Sequence, residues 1–107
     1  METTNRIELT DAARGFLKAL ASDTRQQILL LFGGESELTV GEVAERLGLA
    51  QSAASAQLAT LRDSGVLVAR REWKTVYYRV DPSGIARALA DLQATLRACC
   101  PPDGSCG

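Results

Sequence analysis

Apolar residues return along this chain at two different periods, and the change between them divides it. Up to Leu61 they recur mostly every third or fourth position, as on a helix with one buried side. Between Val66 and Val80 they crowd into two short runs rich in β-branched and aromatic residues, the pattern of paired strands. From Ile85 onward the helical period resumes.

Residues 1–9 carry no strong period and read as an arm. Thr10 or Asp11 caps a first helix through about Leu20, with Ala12, Phe16, Leu17, Ala19 and Leu20 on its apolar side. Ser22 and Asp23 signal a second start, and Asp23 with Gln26 has capping-box spacing. That helix runs to about Phe32, burying Ile28, Leu29, Leu31 and Phe32, and Gly33-Gly34 stops it. An acidic loop, Glu35-Ser36-Glu37, follows.

Thr39 with Glu42 forms a sharper capping box and predicts a third helix from Val40 to Leu47, with Val43, Ala44 and Leu47 inward. Gly48 ends it as a left-handed cap, and Leu49 plugs the angle to the next helix. A fourth helix begins near Gln51 or Ser52 and ends near Asp63; Ala54, Leu58 and Leu61 form its buried stripe. Gly65 closes it. Strands are expected over Val66–Arg71 and Thr75–Val80, joined by Glu72-Trp73-Lys74. Asp81-Pro82 caps a last helix that runs to about Arg97, with Ile85, Leu89, Leu92 and Leu96 on one stripe. Ala86, Ala88, Ala90, Ala94 and Ala98 widen its apolar face beyond what one small core requires, which suggests a subunit interface. The expected fold is mainly α with a β-hairpin: helix, tight turn, helix and wing, a winged helix-turn-helix in a homodimer.

Length and charge sharpen this picture. A chain of 107 residues is one domain with a modest core, of a size often stabilised by dimerisation. No apolar run approaches the roughly 20 residues of a membrane span, and METTNRIELTD lacks the apolar core of a signal peptide. The expected location is cytoplasmic, where thiols stay reduced. The net charge of -1 argues against a uniformly sticky nucleic-acid binder, but its distribution is uneven. Residues 46–80 hold six bases and two acids, whereas residues 1–45 hold four bases and eight acids.

The positive segment contains the fourth helix, whose outer face is short and polar. Short side chains let a helix approach the floor of a major groove about 12 Å wide. Gln51, Ser52, Ser55 and Gln57 can hydrogen-bond base edges, and the methyls of Ala53 and Ala56 can meet thymine methyls. Arg62 and the wing bases Arg70, Arg71 and Lys74 would contact phosphates, which position a protein without reading sequence.

Residues 17–80 resemble the ArsR/SmtB family of metal-responsive repressors. LKALASDTRQQILLLF is similar to the family's opening signature, Leu-x-Asp/Pro-x-Arg-x-x-Ile-Leu, and LTVGEVAERLGLAQSAASAQLATLRDSGVLVARREWKTVYYRV to its helix-turn-helix and wing. Two departures stand out: Gln57, where the family often has His, and Glu72-Trp73-Lys74 at the wing tip, where a Gly is common. The resemblance implies a homodimer joined through the first and last helices. It would bind double-stranded operator DNA as an imperfect palindrome, its reading helices about one turn or 34 Å apart, and block transcription.

Three cysteines, Cys99, Cys100 and Cys106, lie in the last nine residues and none elsewhere. An odd count argues against a disulfide framework, and neighbouring cysteines bridge only with strain. Pro101, Pro102 and Gly104 favour a chain reversal that could return Cys106 to the pair. Thiolates select soft, thiophilic ions. Trivalent arsenic or antimony accepts three sulfurs as a pyramid, while zinc wants four ligands and this chain has no His. Within the resembled family, arsenic sensors with a cysteine motif in the third helix would need cysteines near Thr39 to Glu42. Zinc sensors with His and Asp in the last helix would need histidines. What remains resembles arsenic-responsive members with a cysteine pair and a third cysteine just after the last helix.

The expected division is thus 1–98 for DNA binding and dimerisation (helix-turn-helix about 39–64, wing about 66–80) and 99–107 for a metalloid-binding tail. The expected function is a repressor that leaves its operator on binding trivalent arsenic or antimony at Cys99, Cys100 and Cys106. Cadmium, lead, bismuth, zinc, methylated arsenic and thiol oxidation stay open as inputs. An enzyme is disfavoured: there is no His, no apparent activated nucleophile and no phosphate-cradling loop around the cysteines. An ion buffer using the tail alone would need no reading helix.

Overall fold

The computed structural model describes residues 7–101. Five helices and three strands follow in the order α1 (Asp11–Ala19), α2 (Asp23–Leu31), β1 (Leu38–Thr39), α3 (Val40–Leu47), α4 (Gln51–Asp63), β2 (Leu67–Glu72), β3 (Thr75–Val80) and α5 (Pro82–Cys99). This is the winged helix-turn-helix expected from the periodicities.

Local chemistry sets most boundaries. The Thr10 side chain accepts from the Ala13 N–H and starts α1. At α3 the capping box is complete: Thr39 Oγ1 accepts from Glu42 N–H at 3.2 Å, and Thr39 N–H donates to Glu42 Oε1 at 2.8 Å. Gly48 adopts φ 65, the left-handed cap that turns the chain toward α4. Asp81 caps α5, with Pro82 in the first turn.

Several expectations need correction. The cap of α2 is Ser22, whose side chain accepts from Arg25 N–H; Asp23 is already helical, and the Gln26 side chain donates to the Leu20 carbonyl instead of closing a capping box. The strand Leu67–Glu72 begins and ends one residue later than read, so the turn is Trp73-Lys74 alone. The last helix continues past Arg97 to Cys99, because nothing before Pro101 interrupts it. Leu17, expected on the buried side of α1, is exposed, since Ala13, Phe16 and Ala19 carry the packing.

β1 had no counterpart in the sequence reading. It pairs antiparallel with β3, Leu38 opposite Tyr78 and Thr39 opposite Tyr77, and gives a three-stranded sheet of order β1-β3-β2. Two residues that lead directly into a helix, the second as its cap, have no local strand signature; only the arrival of β3 makes them one.

The core lies between α4, the helices α2 and α3, and the sheet. Ile28, Leu38, Val43, Leu58, Leu61, Val66 and Leu67 are fully buried there, with Phe16, Phe32 and Tyr78 at its margin. Burying the α4 stripe points the opposite face outward. α5 buries only Ala88 fully; Ile85 and Leu92 are half-buried, and Leu89 and Leu96 stay 47% and 51% exposed. No helix among the described residues is long and apolar enough to cross a membrane.

Candidate nucleic-acid interface and thiol cluster

With Ala54, Leu58 and Leu61 turned into the core, Gln51, Ser52, Ala53, Ser55 and Ala56 stand exposed along one side of α4. No side chain caps α4: Ala50 precedes it, and the first-turn N–H groups face outward without a side-chain acceptor. Such groups suit an anion. The face is narrow enough to enter a groove and offers donors, acceptors and methyls.

Gln57 departs from this row. It is half-buried, and its Oε1 accepts from Arg25 Nη1 at 2.7 Å. Arg25 also donates from Nε to the Ala19 carbonyl at 2.7 Å and from Nη2 to the Lys18 carbonyl at 3.1 Å. One guanidinium thereby satisfies terminal carbonyls of α1 and ties α1 and α2 to α4. Arg25 is the arginine of the opening signature, but no sequence signal assigned it or Gln57 this role.

The basic side chains split into two groups. Arg62 forks onto Asp63 Oδ1 at 3.1 and 3.0 Å but is exposed. Arg70 is heavily engaged: Nε and Nη2 grip the two oxygens of Glu37 at 2.9 Å each, and Nη1 donates to Glu72 at 2.9 Å. Its guanidinium also lies 4.5 Å above the Tyr77 ring. The hydrogen bond from Arg70 holds the Glu37 carboxyl below the usual range. By contrast, Arg71 and Lys74 have no ion-pair partner among the described residues. Ser55, Arg62, Arg70 and Arg71 line one concavity between α4 and the sheet; Gln51 and Lys74 line another beside the start of α3. The exposed side of α4 and the wing therefore share a face. Glu37 was missed because an acidic loop residue gives no sign of a partner 33 positions away.

At the other end of the molecule, Cys99 is the last residue of α5 and Cys100 its cap. Their sulfurs lie 3.3 Å apart. The Cys99 Sγ approaches the Leu96 carbonyl at 3.6 Å, and Cys100 N–H donates to the same carbonyl at 2.7 Å. Two soft donors thus converge on one small volume, a set that fits a thiophilic ion. Among the described residues no third His, Cys, Asp or Glu joins them. Cys106 lies outside the described residues, as do Pro102 and Gly104 of the expected reversal. Cys100 also lines the rim of a long apolar groove of about 860 Å³ formed by α5, with Leu89, Leu92 and Leu96 in its wall.

The profile of bacterial regulatory proteins of the arsR family matches residues 22–68. The chain is 46% identical over 65 residues to the arsenic resistance transcriptional regulator ArsR1 of Pseudomonas putida; the match covers 61% of this chain but only about half, 51%, of that relative. It is 38% identical over 81 residues to ArsR2 of the same organism, covering 76% of this chain and 70% of that one. Among solved structures, HlyU from Vibrio cholerae superposes with a TM-score of 0.62 at 38% identity, covering 83% of this chain and 92% of that one; the Vibrio cholerae protein of that name is described as a transcriptional activator.

Proposed function

The chain belongs to the ArsR family of bacterial regulatory proteins, and from that premise we propose that it is an operator-binding repressor released by a thiophilic ion. The family is one of DNA-binding transcriptional regulators and not of enzymes. In this reading α4 enters the major groove, with Gln51, Ser52, Ala53, Ser55 and Ala56 against base edges. Gln57 keeps α4 in place through Arg25 and has its amide N–H groups to offer a base or phosphate. Arg62, Arg71 and Lys74 fix the register on phosphates, and Arg70 joins them when DNA displaces its acidic partners.

The protein acts as a homodimer through α1 and α5. The support is the apolar surface that the single chain leaves open: Leu17, Leu89 and Leu96 are all close to half exposed. Residues 1–98 form the binding and dimerisation unit, and residues 99–107 form the sensing segment. The cytoplasm supplies both the DNA and the reducing conditions that keep thiols available.

The observation that carries the sensing step is the 3.3 Å approach of the Cys99 and Cys100 sulfurs at the end of α5. With Cys106 they would hold trivalent arsenic or antimony, which supplies a soft, three-coordinate centre. Drawing the two thiolates toward a common centre strains the last turn, where Leu96 accepts from Cys100. That turn borders the groove of the dimer face, so the spacing of two reading helices changes and the operator is released. The coupling is reciprocal and worth about 1–3 kcal/mol. Ion binding weakens in acid, since thiolates are the ligands. Cadmium, lead, bismuth, zinc, methylated arsenic and oxidation are the competing inputs.

The test is a gel shift on a duplex selected from a randomised pool, with and without arsenite, antimonite, zinc and cadmium. Release by arsenite or antimonite is expected. Cys→Ser at residue 99, 100 or 106 should leave duplex binding intact and reduce release. A triple Ser variant that still leaves the duplex on adding arsenite would sink the assignment.

A further inference from the structure

The wing tip carries a feature that DNA positioning by charge does not explain. Glu72 pairs with Thr75, so Trp73 and Lys74 form a two-residue hairpin turn. Trp73 sits at φ 60, and no other non-glycine residue among those described has a positive φ. The first central position of such a turn favours glycine, which reaches this region without a clash between Cβ and backbone. Here the strain is retained for the bulkiest side chain, and that side chain is 86% exposed. It therefore serves neither the turn nor the core. Strained residues kept at an exposed tip point to a contact made with something else.

The surroundings say what that is. Arg71 and Lys74 lie within two positions of Trp73 in the hairpin and have no ion-pair partners among the described residues, while the charge of Glu72 is held by Arg70. The tip thus carries an exposed apolar ring on a segment with two cations free to meet phosphates. Lys74, the other turn residue, shares a concavity with Gln51 at the start of α4, so the hairpin tip lies beside that helix. A minor groove is about 6 Å wide, which admits a flat ring edge-on between its sugar walls, with cations reaching the phosphates on either side. The indole Nε1 is a donor only. A·T pairs present only acceptors in the minor groove, whereas a G·C pair adds an amino donor that would face the indole N–H.

We propose that Trp73 is a minor-groove blade that reads A·T pairs beside each half-site contacted by α4. This rests on the operator-binding reading and adds a specificity residue to it. Trp73 is the chain's single tryptophan, so its fluorescence reports this position alone. The experiment uses the full chain and two fluorescein-labelled duplexes that share one selected core and differ only in A·T or G·C flanks. Label anisotropy and indole emission are followed in the same titration.

Binding should quench or shift the indole emission and lower its accessibility to acrylamide several-fold. Affinity should be on the order of tenfold tighter for A·T flanks. Trp73→Gly should bind more weakly, lose the flank preference and melt at a higher temperature, since the strain is relieved. Trp73→Phe should retain much of the affinity without the preference, having the ring but no N–H. If anisotropy rises while acrylamide access is unchanged, or Trp73→Gly keeps the flank preference, the blade is overturned and the repressor reading stands. If anisotropy fails to rise on any duplex, both fall.

Discussion

In the proposed operator complex, two kinds of anion would compete for Arg70. Its fork is closed on Glu37, with Glu72 on the third nitrogen, in the geometry a phosphate would require. A DNA phosphate would therefore have to compete with carboxylates already in place, and Arg70 is expected to add less to DNA affinity than its position suggests. Glu37→Gln should raise duplex affinity several-fold and steepen its salt dependence by about 0.9 in slope, while Arg71→Ala and Lys74→Ala should each flatten it by about 0.9; anisotropy titrations across salt concentrations give these slopes. The same contact has a pH signature. Arg70 holds the Glu37 carboxyl below its ordinary 4.5, so the stabilisation is present above that value and is lost as pH falls through the lowered one. The Glu37→Gln variant should lack that portion of the acid-induced fall in melting temperature, which paired melts below pH 4.5 will measure. Nothing in the sequence marks this pair, because an exposed loop acid and a strand arginine are each unremarkable until the fold apposes them.

Between elements, the join of α4 to α5 shows how close packing overrides propensity. Gly65, at φ 86, closes α4, and its carbonyl lies against Gly84 in the first turn of α5 so tightly that a Cβ on Gly84 would collide with it and press on the Asp81 carboxylate. Alanine is the better helix former by about 1 kcal/mol. Even so, Gly84→Ala should destabilise by about 1–3 kcal/mol, because the obstacle is backbone. Leu58→Ala, which empties a fully buried site on the α4 stripe, should cost about 2–5 kcal/mol. Urea unfolding curves test both, and a Gly84→Ala protein as stable as the parent would mean the two turns can part freely. The stripe containing Leu58 was legible from its spacing, as were the Thr39–Glu42 box and the Gly48 turn. The Gly84 approach was not, since a glycine early in a helix looks merely weak.

At the scale of the whole molecule, the decisive surface is the one left uncovered. α5 is longer than its packing in one chain requires, and its open leucines line a groove that ends at Cys100. In the proposed dimer a second copy would cover this groove and so join dimerisation to the cysteine pair through a single helix. Leu89→Glu with Leu96→Glu should give a folded monomer, with an unchanged far-ultraviolet spectrum and half the mass in sedimentation. Its duplex affinity should fall by at least about a hundredfold as the second half-site contact is lost. A variant that stays dimeric would place the interface elsewhere.

Whatever depends on neighbours within a few positions was determined by the sequence itself: caps, helical periods, left-handed turns, the hairpin, and the clustering of Cys99 and Cys100. These follow from backbone sterics and local hydrogen bonding, which act over a turn or two. The tertiary structure alone decided what meets across the chain: Arg25 with Gln57, Glu37 with Arg70, Leu38 with Tyr78, Gly65 with Gly84. It also decided which apolar residues stay outside, since periodicity marks a face as apolar but only packing shows whether one chain has enough core to cover it. Trp73 lies between the two. Its place at the wing tip was plain from sequence, but its strained backbone and open ring emerged only when the strands on either side were paired.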